Sequence, residues 1–317
     1  EYFKGDTLGW ESINRTTPNL NGGTRAVVFG GNNGSPYDDI EYFTISTLGN
    51  AADFGTLATA RTAAGSCASR TRGIVSTGQE PGTVTADIDY VTISSTGNGT
   101  DFGDVTDSRD FTSGCASATR GIFAGGRITT PSTAGNVIDY ITMASAGNAV
   151  DFGDTISTTL YYPMSLASST RGIIASGIGG GSTDDIDYIT IATTGNAADF
   201  GTIGVNHGGV GASNSTRGLF AGGYNPSLCN CISFITIATL GNSIDFGDLT
   251  ANNRSPGSAT SKTRACIIGG KTPSNSNIIQ YVEILTTGNA ADFGDLTGSN
   301  SGQKGNVAGC SNGHGGL

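Results

Sequence analysis

Charge is scarce in this 317-residue chain: 13% of its residues are Asp, Glu, Lys or Arg, about half the usual fraction. Cations are the scarcer kind, with 16 Lys and Arg against 26 Asp and Glu and a net charge of −10. Binding nucleic acid needs a cationic face against the phosphates, and no basic cluster occurs, so DNA and RNA are not expected partners. Only two histidines occur, His207 and His314, and neither has sequence neighbours that complete a catalytic triad or a metal site. No apolar run approaches the roughly 18 residues that mark a membrane-spanning helix, so no membrane insertion is expected. Apolar residues at i, i+3, i+4 and i+7 are also missing, which argues against helices. The chain opens E-Y-F-K-G-D without methionine, as at a processing site or fragment boundary, and shows no signal-peptide pattern.

What is present is glycine, 51 residues of it, together with many Thr, Ile and Val. That mixture predicts short strands joined by Gly/Asn/Ser/Thr turns. The tripeptide D-F-G, which in a protein kinase marks a magnesium-binding loop, occurs six times, at Asp53, Asp101, Asp151, Asp199, Asp245 and Asp292. A catalytic loop is needed once per domain, and the other kinase elements, H-R-D-L-x-x-x-N and V-A-I-K, are absent. D-F-G is therefore part of a structural repeat.

Each repeat carries four landmarks in constant order. T-R comes first, at Arg25, Arg72, Arg120, Arg171, Arg217 and Arg264, spaced by 47, 48, 51, 46 and 47 residues. It opens a short apolar run ending in glycines, as in R-G-I-F-A-G-G (120–126). A strand-like I-D-Y-I-T-I (186–191) or close variant follows, then G-N at Asn50, Asn98, Asn148, Asn196, Asn242 and Asn289, then D-F-G. Four strands are read per unit: A before T-R, B from the arginine, C around the tyrosine and D through D-F-G. Strands B and C are apolar on both faces and need neighbours on both sides. The expected fold is all-β, a six-bladed β-propeller with four antiparallel strands per blade. The expected organisation is an N-terminal arm or closing strand (1–23), six repeats over 24–303 (about 24–70, 71–118, 119–169, 170–215, 216–262 and 263–303), and a C-terminal closing strand (304–317).

The Gly-Gly strand, the strand with a central tyrosine and the aromatic strand resemble the kelch motif, with Phe54, Phe102, Phe152, Phe200, Phe246 and Phe293 where kelch repeats carry tryptophan. The wording T-R-G-x-F-A-G-G … I-D-Y-I-T-I-A-T-x-G-N-A-x-D-F-G-D-L-T resembles repeats in virion structural proteins of tailed bacteriophages, especially phages of marine bacteria. The ending C-S-N-G-H-G-G-L (310–317) is similar to the close of such proteins. The resemblance covers nearly the whole chain; it implies a virion location and other virion proteins as partners.

Six arginines (with Arg72, Arg120, Arg171, Arg217 and Arg264 after the first) and six D-F-G aspartates at constant separation suggest one Arg–Asp pair per blade, fixing the register between blades. Calcium bound by D-F-G-D is the weaker alternative, because the second acid is lost at Thr56 and Thr202; no metal and no cofactor are expected. Cys67, Cys115 and Cys310 fall at one equivalent repeat position, too far apart for disulfides, and read as small buried side chains. Cys229 and Cys231 lack the partners of a zinc site. His314 reads as structural. One terminal strand A is in excess, so either the C-terminal copy completes the first blade and 1–23 is free, or the reverse. A spare arm anchored by Trp10 could add a strand to a neighbouring subunit, giving a homo-oligomer or a virion connection.

Alternating strands place the A–B and C–D loops on one face and the B–C and D–A loops on the other. The first face is nearly constant in sequence and the second varies, and a rigid scaffold with divergent loops is how recognition sites are commonly built. Candidate ligand-binding residues on that face are Tyr37, Glu80, Arg127, Tyr161, Tyr162, Tyr224, Asn225 and Lys271, since Tyr and Asn suit contacts with sugars and protein surfaces. The expected function is a non-enzymatic adhesin or decoration module of a tail fibre or capsid that binds a host-surface glycan or protein. A virion connector is the alternative, and a glycan-cleaving depolymerase, needing two carboxylates about 5 Å apart, comes third.

Overall fold

The computed structural model describes residues 2–3, 10–11, 24–129, 132–158, 160–178, 182–204, 208–224 and 227–317. Six four-stranded antiparallel sheets form the blades of a propeller. Strands are lettered A to D from the axis outward. Blade II comprises Gly65–Ala68, Arg72–Ser76, Asp87–Thr92 and Thr100–Asp104; blade III comprises Ser113–Ala116, Arg120–Ala124, Val137–Thr142 and Val150–Asp154. Blade IV contains Met164–Ala167, Arg171–Ile178, Ser182–Thr190 and Ala198–Thr202, and blade V Val210–Ser213, Arg217–Ala221, Cys231–Thr236 and Ile244–Asp248. Blade VI has Gly257–Thr260, Arg264–Ile268, Ile278–Glu283 and Ala291–Asp295.

Blade I is assembled from both ends of the chain: B, C and D are Arg25–Phe29, Tyr37–Thr44 and Ala52–Arg61, and A is Ala308–Ser311. Cys310 pairs with Val27 in that closing ladder. The C-terminal copy, not the N-terminal segment, thus closes the ring. In the N-terminal segment the described residues form a separate two-residue ladder, with Phe3 opposite Trp10. Each T-R repeat supplies B, C and D of one blade and A of the next, so every sequence unit straddles two blades.

The core lies between blades rather than within them. Ala26, Val28, Phe43 and Ile45 of blade I pack with Cys266, Ile268, Ile279 and Phe293 of blade VI, and five further buried clusters repeat the pattern around the ring. This is why B and C are apolar on both faces. The A strands are rich in Gly, Ser, Ala and Cys because six of them converge on the axis, with Met164 and Leu166 of blade IV the largest side chains among them. A Cβ on Gly114 or Gly211 would collide with the Ser66 or Ser165 backbone of the adjacent A strand.

The four landmarks form the inter-blade fastening. Each repeat arginine lies over the aromatic ring of its own strand C, 4.3–4.8 Å from the centroid (Arg72 on Tyr90, Arg217 on Phe234). Its Nη1 donates to a carbonyl at the end of strand C in the next blade: Arg25 to Ile93 at 2.9 Å, Arg120 to Ile191 at 3.0 Å, and Arg264 to Ile45 at 3.0 Å across the closure. The expected Arg–Asp pairs do not form. The aspartates Asp53, Asp101, Asp151, Asp199, Asp245 and Asp292 are exposed at the start of the outer strand. Among the described residues none of them ion-pairs with Arg72, Arg120, Arg171, Arg217 or Arg264. A carbonyl and a ring face satisfy the guanidinium instead, and the acids remain in water, where an ion pair gains little.

D-F-G marks a β-bulge. Ile88 pairs with Gly103 and Asp89 with Asp101, leaving Phe102 as the extra residue; the same shift occurs in all six C–D ladders. The bulge turns the phenylalanine inward, 2% exposed in every blade, edge-on to the strand C aromatic at 5.8–6.3 Å. The D-F-G glycine, at φ +140° to +151°, lies against the G-N turn of the next blade, where a Cβ would strike the Gly97 carbonyl or its equivalent. That turn covers the outer strand: Gly97 N donates to Phe54 O at 2.8 Å, and Asn98 Oδ1 accepts from Thr56 N at 3.1 Å. Outer strands are edges open to non-native pairing, and here each is partly covered by its neighbour.

Candidate recognition site on the variable face

The glycines that end strand B dock on the D–A loop of the same blade: Gly31 N donates to Arg61 O, Gly126 N to Leu160 O, Gly223 N to Asn253 O and Gly270 N to Lys304 O. At three such loop positions, Arg61, Lys304 and Arg109 (whose carbonyl accepts the Gly78 N–H), the side chain reaches the strand C acid of the next blade. Buried Arg61 meets Asp89 at 3.0 Å, buried Arg109 pairs with buried Asp139, and buried Lys304 meets Glu41 at 2.8 Å and Asp39 at 3.0 Å. Burial pushes the Asp139 carboxyl up and the Arg109 guanidinium down, each opposed by the other's charge. The loop position leading into blade IV is Leu160, and among the described residues Asp187 of that blade, 4% exposed, accepts only the Ile156 N–H, with no partner for its Oδ1.

Just beyond these positions the six D–A loops meet at the axis. Ala63, Phe111, Tyr162, Gly208, Ser255 and Asn306, one per blade, all have φ between +51° and +69°. Their backbones form a closed circuit in which each N–H donates to the carbonyl of the previous blade: Phe111 to Ala63 at 2.7 Å, Tyr162 to Phe111 at 3.1 Å, Gly208 to Tyr162 at 3.3 Å, Ser255 to Gly208 at 2.6 Å, Asn306 to Ser255 at 2.9 Å and Ala63 to Asn306 at 3.1 Å. The left-handed conformation costs a non-glycine residue about 1–2 kcal/mol, and it persists here because neighbours on both sides fix it. This collar rims a narrow axial channel of about 100 Å³.

At the opposite face the C-terminal tail lies across the channel. His314 Nε2 donates to Ala68 O at 2.7 Å and its Nδ1 accepts the Gly316 N–H at 3.1 Å, which requires a neutral ring. Burial lowers the His314 pKa to about 4. The expected structural role of this residue thus takes the form of a plug.

Beside the collar, the variable loops enclose a basin of about 390 Å³ between blades I and VI, walled by Asn32, Asn33, Tyr162, Arg254, Lys271 and Asn275. Tyr162 is stacked on Phe111 with centroids 3.9 Å apart, and Tyr161 lies 5.5 Å from Tyr162. Burial raises the Tyr162 hydroxyl to about 12, which keeps it a donor. Arg127 lies over Phe111 at 5.2 Å and is held by a two-pronged pair with Asp110. On the other side Arg254 lies over Tyr224, 5.7 Å from its centroid.

Of the residues singled out from sequence, Tyr162 and Lys271 line the basin; Tyr161, Arg127 and Tyr224 join it through the contacts just given. Tyr37 packs beneath Lys304 at 5.9 Å, and Glu80 faces Arg61 at 3.5 Å, so both are half-buried contacts of the buried charge layer. Asn225 and His207 lie outside the described residues. Cys229 and Cys231, which lack the partners of a zinc site, form a disulfide with each other in the blade V loop, while the other four cysteines are buried thiols. Sequence reasoning missed Phe111, Arg254, Asn32 and Asn275. Their signal was positional: they occupy equivalent loop slots whose residue types differ from blade to blade. No protein-family model matches this chain, and no curated protein matches it significantly.

Proposed function

We propose that the chain is a kelch-like propeller of a phage particle that works without catalysis, as an adhesin or decoration module binding a host-surface glycan or protein through its variable face. The observation that carries this reading is the basin, where a stacked aromatic pair, two cations and several amides meet beside the axis. Concave sites with a few convergent polar groups are the usual form of small-ligand pockets, and stacked tyrosines offer contact area at little entropic cost. Polarity adds support. Strand B of blade I starts on the constant face and the C-terminal tail ends there, so the N-terminal arm leaves from the pole opposite the basin. A particle attached through the arm would present the basin outward.

The test is binding of the purified chain to candidate host cells and to a glycan array, alongside a variant with Tyr161, Tyr162 and Tyr224 changed to alanine. Saturable binding that falls at least tenfold in the variant is expected. Docking to virion components through residues 1–23, with no cell or glycan binding, would instead make the protein a connector. That second reading rests on the N-terminal ladder forming a sheet of its own, outside the strand order of the blades.

A further inference from the structure

We infer that the basin selects an acidic saccharide, a carboxylate carried on a hydroxyl-rich ring; this rests on the recognition reading above. In a chain of net charge −10, the basin wall includes Arg254 and Lys271 and, among the described residues, neither Asp nor Glu. The two cations come from directly opposed positions. Arg254 N donates to Lys271 O at 3.2 Å and Lys271 N to Arg254 O at 2.9 Å, an isolated antiparallel bridge. Side chains on such partners share one side, with Cβ atoms about 4.5–5.5 Å apart, and like charges there repel.

The bridge is anchored by buried Asn253, whose Oδ1 accepts the Lys271 N–H at 2.9 Å while its Nδ2 donates to Gly269 O at 2.9 Å. Among the described residues neither cation has an acidic partner, although Arg61, Arg109, Arg127, Arg264 and Lys304 all do. Two like charges borne on opposed backbone positions, without an acidic partner among the described residues, form a place that an anion relieves. An arginine fork matches a carboxylate with two parallel bonds, and the lysine adds a point charge.

The rest of the wall identifies what carries the charge. Asn32, Asn33, Ser274 and Asn275 supply both donors and acceptors for hydroxyls, and the Tyr162 ring, backed by Phe111, supplies an apolar surface for ring C–H groups. A bare inorganic anion would use the cations and leave the aromatic and amide walls idle.

Titration calorimetry on the full chain would compare oligogalacturonate and oligosialate with their carboxyl-reduced forms and with neutral dextran oligosaccharides, for wild type, Arg254→Gln and Lys271→Gln. Binding of an acidic probe is expected, at least tenfold weaker after carboxyl reduction, at least tenfold weaker in either variant, and weakened by salt. Lys271→Gln should melt no lower than wild type, since it removes a like charge, and as Arg254→Gln also gives up the Tyr224 ring contact, its affinity is read only where its melting curve shows it folded. Binding of neutral and reduced probes as tight as acidic ones, unchanged in both variants, would overturn the inference and leave the recognition reading standing. So would saturable host-cell binding with no saccharide bound, which would point to a protein receptor. Absence of both cell and saccharide binding would overturn the recognition reading itself.

Discussion

At the scale of single residues, two buried groups titrate against each other. Asp187 occupies the place where blades I to III keep an ion pair, but the loop position that supplies the cation elsewhere is Leu160 here, and burial, reinforced by Asp185 and Asp199, raises its pKa to about 6. Its folded-state value lies above the unfolded one, so the stability it contributes is present below about pH 4 and lost as pH rises through 6. His314 behaves oppositely. Its folded pKa of about 4 lies below the ordinary 6.5, so its stability is present above pH 6.5 and lost as pH falls toward 4. The two slopes offset in the wild type. Asp187→Asn should stabilise the protein by roughly 2 kcal/mol at pH 7 and expose a fall in melting temperature between pH 6.5 and 4. His314→Gln should expose the reverse, a protein that gains stability on acidification. Melting curves from pH 4 to 8 check both, and a flat profile in Asp187→Asn would contradict the His314 assignment.

The repeat arginines yield a second residue-scale prediction. Arg217→Ala removes a ring contact and a charged hydrogen bond to Ile284 O in blade VI and should cost about 2–3 kcal/mol. Asp245→Ala, on an exposed edge, should stay within about 0.5 kcal/mol. Chemical denaturation decides between these numbers; equal losses would restore the Arg–Asp pairing expected from sequence.

At the scale of elements, the D strand and the G-N turn act as one device split between blades. Gly247→Ala should destabilise by more than 2 kcal/mol, because a Cβ meets the Gly288 carbonyl and the positive φ is strained as well. By contrast Ala63→Gly, in the collar, should stabilise by about 0.5 kcal/mol, since it relieves a left-handed alanine at some entropic cost. The strands, their order and the two faces were legible in the sequence, because side-chain identity repeats where side chains do the packing. Where the backbone does the bonding, identity carries no signal. Hence the repeat spacing pairs Arg217 with an aspartate, whereas its acceptor is a carbonyl. The collar of Ala63, Phe111, Tyr162, Gly208, Ser255 and Asn306 showed nothing in common, because only its N–H and C=O groups are shared. The loop composition singles out Tyr162 and Lys271, which line the basin, but not Arg254, whose loop reads as ordinary turn sequence.

At the scale of the whole molecule, ring closure ties all the blades together. Every repeat straddles two blades, and the last strand sits beside the first, so no terminal blade is free to fray. Unfolding should be one transition, coincident by circular dichroism and tyrosine fluorescence, unlike open repeat arrays that melt from their ends. Removing residues 304–317 takes away strand A of blade I and the Lys304 partner of Glu41 together, and should abolish the folded ring rather than shorten it. A truncated chain with an unchanged melting temperature would refute that.

The closing ladder also sets how the molecule answers a mechanical pull. Strands run from one face to the other, and the arm enters strand B of blade I at the constant face. Tension along the axis therefore loads a strand held on one side by Ala308–Ser311 and on the other by strand C. Its hydrogen bonds lie across the direction of the force and must shear together, whereas a pull on an outer strand would peel them one at a time. A propeller tethered by its arm is thus gripped at the strand best placed to bear load.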